Sequence, residues 1–151
     1  MIKLKDIIKE ANLITEATRW LVGVEMPNGQ IVSTYGHWDG YPQHVGKLLK
    51  KYYSGGAGKP RDLIKLGRAG ISSLEKSIKG GKGHSFDNPK PGESVFYGRD
   101  RGEKGNYSKK WKSRDAVKFN NGEEYGYIYS VKDRKWYYKG KHSRPTNWEI
   151  L

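Results

Sequence analysis

RWLVGVEMPNGQIVSTY, residues 19–35, decides the architecture. Arg19 to Met26 alternates along its length and is rich in residues that favour strands. Pro27-Asn28-Gly29-Gln30 is a turn, and Gln30 to Tyr35 reads as a second strand. Asn-Gly between two such runs is a strong hairpin signal, because a tight turn needs left-handed backbone that these residues adopt at little cost.

The stretch that follows, YGHWDGYPQHVGKLLKKYY (residues 35–53), turns the chain from strand to helix. Gly40 permits a sharp turn, and Pro42 suits the first position of a helix. Tyr41, Val45, Leu48, Leu49 and Tyr52 then share one face, the core face. His44, Lys47 and Lys51 form a cationic ridge on another. The helix runs to about Tyr53, where SGGAGKP breaks it.

Beyond it, Arg61–Gly67 and Ile71–Ile78 read as two short helical pieces. KGGKGHSFDNPKPGE is a long loop rich in Gly, Pro and Lys. Ser94–Tyr97 is a short strand, GRDRGEKGN a charged turn, and Trp111–Phe119 a further short helix. Tyr125–Val131 and Lys135–Lys139 make a second hairpin around Lys132-Asp133-Arg134. Trp148 and Leu151 of the closing NWEIL pack down on the domain. The expected class is α+β: two antiparallel hairpins and a short central strand, with a few helices on one side.

Composition sets the kind of partner. Lys and Arg number 29 against 16 Asp and Glu, a net charge of +13, beside 11 Tyr and 5 Trp. Basic side chains interleaved with aromatics suit phosphates and bases together. With no Cys, disulfides, thiolate metal sites and Cys nucleophiles are excluded. No apolar run approaches membrane-spanning length, and charges interrupt the N-terminal apolar residues as no secretory signal allows. A soluble, cytoplasmic protein is expected.

Residues 1–16 stand apart from a single basic domain over 17–151. Leu4, Ile7, Ile8 and Ala11 fall at helical spacing. Lys3, Lys5 and Lys9 cancel Asp6, Glu10 and Glu16, so the whole positive excess lies beyond residue 16. A neutral amphipathic leader before a basic body is a detachable address or a docking helix; the plainer reading is a helix that packs on the domain.

Candidate site residues cluster at the first corner. The helix start at Pro42 offers free N–H groups and a positive dipole end to an anion, flanked by His37 and His44. Trp38 or Tyr41 could stack on a base, although core packing explains each of them separately. Asp39 would repel a phosphate, and instead caps the turn or orients His37. Lys47 adds charge on the helix face. Arg99 and Arg101 of the later turn could clamp a phosphate bidentately; mutual salt bridges with Asp100 and Glu103 explain them equally well. The glycine loops lack the spacing of a phosphate-binding loop, and the aromatic faces of the last hairpin read as core cover. No metal-ligand spacing, nucleophile elbow or triad is present, and no cofactor is implied. His37 oriented by Asp39 could act as a general base, so the reading leans away from catalysis, with phosphodiester or ADP-ribosyl chemistry left open.

Two resemblances add a setting. The leader resembles the capsid-targeting peptides of internal proteins of large contractile-tailed phages, which a prohead protease removes after a Glu two residues beyond Ile or Leu; Ile14-Thr15-Glu16 and Ile8-Lys9-Glu10 fit. The body is similar to a group of small uncharacterised phage and bacterial proteins, through a HWDGYP-type corner (residues 37–42), a SFDNP-like loop (85–89) and a FYGRDRGE-like strand and turn (96–103). The second resemblance implies an architecture and carries no known reaction. The first implies packaging in the virion interior and injection into the host cytoplasm.

The expected function is thus a phage accessory protein that binds an anionic nucleotide-type ligand or nucleic acid and counters a host defence. The pocket would be lined by His37, Trp38, Tyr41, His44, Lys47, Arg99 and Arg101, beside Asp39. The alternatives are a protein inhibitor of a host nuclease or other nucleic-acid enzyme, and a small nuclease or nucleotide hydrolase.

Overall fold

The computed structural model describes residues 17–151; the expected leader helix over 1–16 lies outside them. The domain is mixed α and β, mostly one sheet of eight strands with few helices. The first hairpin is β1 (Trp20–Glu25) and β2 (Ile31–Gly36), in register from Trp20↔Gly36 to Glu25↔Ile31. The last is β6 (Tyr125–Ser130) and β7 (Lys135–Gly140), with Tyr127↔Tyr138 and Tyr129↔Trp136 opposed. The two hairpins join through their first strands: β1 pairs β6 in parallel, Trp20 beside Tyr125. Periodicity does not reveal this join, because alternation is the same whichever way the neighbour runs.

The remaining strands are short. β3 (Ile71–Ser73) and β5 (Lys109–Trp111) share the outer edge of β2, β3 at its Gly36 end and β5 at its Ile31 end. β4 (Val95–Phe96) lies beyond β3, and β8 (Glu149–Ile150) extends β7. The expected central strand is therefore at the sheet's margin. The chain at 42–52 enters through a π-helical turn, Pro42–Gly46, and continues as α1 (Lys47–Tyr52), with Pro42 at the first position. α2 is Gly58–Leu66 and α3 is Tyr97–Arg101.

Alternation along β1 divides the molecule. Trp20 and Val22, with Tyr127, Tyr129 and Trp136 opposite them, bury against Val45, Leu49 and Leu63 of the helices. This is the core face the helical stripe anticipates, except at Tyr41, which precedes the π-helical turn and is exposed. The other face, carrying Leu21, Ser33 and Tyr35, is covered by the chain after β4: Trp111 Nε1 donates to Ser33 Oγ (2.8 Å), and a side chain at Gly126 would meet Phe119 and Trp148.

Trp20 seats the corner. Its indole lies where a side chain on Gly36 would be, and a Cβ on Gly40 would fall 2.5 Å from Trp20 Cδ1 and 2.6 Å from the Thr18 carbonyl oxygen. Trp20 Nε1 donates to the Trp38 carbonyl (3.1 Å) and Tyr127 Oη to the Gly40 carbonyl (2.6 Å). The sharp turn expected of Gly40 is made by Asp39, whose φ is 55°; Gly40 is needed for space.

Several expected helical pieces differ. Ile71–Ile78 begins as β3, because its carbonyls are claimed from outside: Ile71 accepts from the His37 N–H (2.9 Å) and Ser72 from the Trp38 N–H (3.0 Å). Trp111–Phe119 shrinks to one 3-10 turn, Arg114–Ala116, with Trp111 paired to Ile31 and Arg114 held bidentately by Glu25 (2.7 and 2.9 Å). The second helix starts before Pro60, which its first turn tolerates. The first residues of the charged turn after the short strand form α3, and the rest stays irregular.

Two tyrosines separate packing from hydrogen bonding. Tyr127 and Tyr129 are fully buried, but Tyr129 Oη has no hydrogen-bond partner among the described residues. Tyr127→Phe leaves the Gly40 carbonyl unpaired and is expected to cost about 1–3 kcal/mol, whereas Tyr129→Phe is expected to leave stability unchanged or raise it. Urea unfolding of both variants checks the contrast, and equal losses would contradict it.

Candidate functional site

The antiparallel register ends at Trp20↔Gly36, with Arg19 just before it on one strand and His37 just after it on the other. Both fall on the Leu21–Tyr35 face, away from the helices. Arg19 is pinned through its neighbours: its carbonyl accepts from the Glu124 N–H (2.7 Å), and the Thr18 carbonyl from the Gly40 N–H (2.8 Å). Here the outer edge of β2 passes from β3 to β5, and a cleft of about 430 Å3 opens.

Arg19, Tyr35 and His37 form one wall of the cleft; Tyr97, Tyr107, Ala69, Glu103 and Asn121 complete it. Tyr35 Oη and His37 Nδ1 lie 2.6 Å apart, and Tyr107 stacks on Tyr35 with ring centres 4.8 Å apart. Tyr97 stands edge-on to His37 at 6.3 Å. Gly70 lies between the two outer tyrosines: a Cβ there would touch both Tyr97 (3.1 Å) and Tyr107 (3.5 Å). The Tyr97 N–H donates to Gly70 and the Tyr107 N–H to Arg68, so one loop, residues 67–70, positions both rings.

The electrostatics of the wall are uneven. Burial lowers the pKa of His37, and the Arg19 charge lowers it further, so the ring is neutral near pH 7. Burial pushes the Tyr35 phenol up to about 12, against the pull of Arg19. The phenol thus stays protonated and can donate to Nδ1, leaving His37 Nε2–H as a donor for a ligand. Arg19 makes no ion pair among the described residues, and its buried Nε has no hydrogen-bond acceptor there.

Of the eight residues singled out at the corner and the later turn, His37 alone lines this cleft. Trp38 (40% exposed) packs its ring edge-on to His37 at 4.7 Å. Asp39 is exposed at the turn. Tyr41 (38% exposed) lies 6.2 Å from His44 along the outer surface, and Lys47 is exposed on α1. The FYGRDRGE segment does reach the cleft, through Tyr97 and Glu103.

Arg99 and Arg101 are engaged elsewhere. Arg99 is bidentate on Asp100 (2.8 and 3.1 Å) and donates to the Ile78 and Ser94 carbonyls. Arg101 lies over the Phe86 ring at 4.5 Å, near Glu103. His84, whose side chain is 1% exposed, closes the knot: Nδ1 accepts from the Lys90 N–H (3.0 Å), which places the Nε2 proton toward Asp100 Oδ2 (3.2 Å). These bonds tie the long glycine-rich loop to α3.

Arg19 and Tyr107 were not singled out by sequence reasoning. The available signal was register for the first and, for the second, an aromatic set between Lys104 and Lys109-Lys110. Among the described residues no three His, Asp or Glu side chains converge as a metal site requires, and no helix is long and apolar enough to cross a membrane. No family model, no curated protein and no solved structure matches the chain.

The knot has a pH signature. Burial alone would raise Asp100, but the bonds from Arg99 and the Phe96 N–H, with the Arg99 charge, bring it below its ordinary 3.8. Its stabilisation is therefore complete above that value and lost as pH falls through the depressed folded one. Thermal unfolding midpoints of the wild type are expected to drop in that acid range, and Asp100→Asn to show a lower neutral midpoint with a shallower acid drop. An unchanged acid profile would contradict this.

Proposed function

We propose that this protein binds a small anionic ligand of the nucleotide class in the cleft between Arg19 and Tyr107. The observation that carries the reading is Arg19, a guanidinium on the cleft wall that makes no ion pair among the described residues. An anionic ligand oxygen supplies the missing counter-ion through a charge-assisted hydrogen bond to this guanidinium. The partly exposed rings of Tyr97 and Tyr107 on the cleft wall suit a base or other flat ring. Neutral His37 offers a donor without adding charge, and the net +13 draws anions to the domain.

The leader's resemblance supplies the setting for this reading: an accessory protein, packaged and injected, that counters a host defence by sequestering a nucleotide signal. In that setting, mass spectrometry of virions is expected to find the chain without residues 1–16. Its absence from virions, or an intact residue 1, would remove the packaging half of the proposal and leave the cleft untouched.

Calorimetry against mononucleotides and cyclic dinucleotides tests the cleft. Saturable binding is expected, and Arg19→Met should weaken it about 10- to 100-fold, the worth of one charged hydrogen bond, without lowering the thermal midpoint. Removing an unpaired buried nitrogen does not cost stability, so a merely structural arginine would show the opposite pattern. Binding unaffected by Arg19→Met would sink the cleft, and ligand turnover lost with His37→Ala would make the protein a hydrolase.

A further inference from the structure

We propose that the ligand is a single-stranded polynucleotide, whose phosphates run along a basic groove beside the cleft while one base enters between Tyr97 and Tyr107. This rests on the cleft reading above and names its substrate class.

The groove is formed by the end of α2 with the loop after it, and by β5 with the segment before it. Lys65, Arg68 and Lys110 line it, with Ile64, Asn106 and Ser108, around about 540 Å3. Three cations face it and no carboxylate lines it; all three are exposed. The cleft and the groove have a common wall. Along residues 106–110, Asn106, Ser108 and Lys110 line the groove while Tyr107 lines the cleft. On the facing loop Arg68 lines the groove and its neighbour Ala69 the cleft. The Tyr107 N–H bond to the Arg68 carbonyl (2.7 Å) fixes the two segments together.

Extended chain sends alternate side chains to opposite sides, so this wall presents aromatic surface on one side and charge on the other. That division matches a single strand, whose bases and phosphates project in different directions. Groups spaced to take a backbone and a base at once gain from a linked ligand. A duplex keeps its bases stacked inside and cannot offer one to Tyr107 without a cost in unstacking.

Fluorescence anisotropy with a labelled thymidine oligomer of roughly a dozen nucleotides, beside thymidine monophosphate by calorimetry, tests the proposal. The oligomer should bind at least about tenfold tighter. Its affinity should fall with salt at a slope near −2 in log–log terms for three phosphate contacts. The double variant Lys65→Ala, Lys110→Ala should flatten that slope by more than half and leave monophosphate binding and the thermal midpoint unchanged. Arg19→Met should weaken both ligands. Oligomer and monophosphate binding equally, both insensitive to the double variant, would overturn the polynucleotide and spare the cleft. An oligomer bound through the lysines but indifferent to Arg19→Met, or a duplex competing as well as the single strand, would also overturn it. Failure of both ligands to bind would remove the cleft reading together with this one.

Discussion

The structure depends on the place taken by Trp20. Its indole occupies the space that side chains at Gly36 and Gly40 would need, and its N–H holds the Trp38 carbonyl. One ring thereby joins the end of the first hairpin to the start of the helical layer. With the Thr18 and Tyr127 bonds to Gly40, the corner is held from three sides. The direction in which His37 leaves β2 follows, and so does the position of Arg19 on the opposite face. Packing on the helical side thus sets the geometry of the cleft on the other.

How legible this was in the sequence depended on the range of the interaction. The Pro27–Gln30 hairpin, the Val45–Leu49 stripe and the tyrosine-rich closing hairpin are local patterns, and each forms as read. Ile71–Ile78 has helical spacing, yet the backbone of the His37–Trp38 corner takes its carbonyls and makes the first residues a strand. Trp111 is drawn from its expected helix by pairing with Ile31, and Arg114 by Glu25. In each case a partner distant in sequence outweighs a weak local preference.

The site was legible only in part, for a related reason. The HWDGYP corner and the FYGRDRGE turn do meet, but through His37 and Tyr97. The arginines that charge alone made attractive are engaged away from the cleft: Arg99 and Asp100 bind the glycine-rich loop, and Arg101 lies exposed over Phe86. Arg19 carries no motif; its importance comes from its place at the end of the hairpin and from a guanidinium without a counter-ion among the described residues. Tyr107 joins it because a loop from the end of α2 supports both outer tyrosines.

The parallel join of β1 to β6 has a consequence for how the chain assembles. β1 precedes the other described strands and sits in the middle of the sheet, with β2 on one side and β6 on the other. Trp20 and Tyr125 are more than a hundred residues apart. During synthesis the first hairpin must wait with an open, hydrogen-bonding edge until β6 emerges. Such non-local closure slows folding, and an open strand edge invites pairing with another copy. The charge of the body, repelling one nascent chain from the next, is well placed to protect that interval.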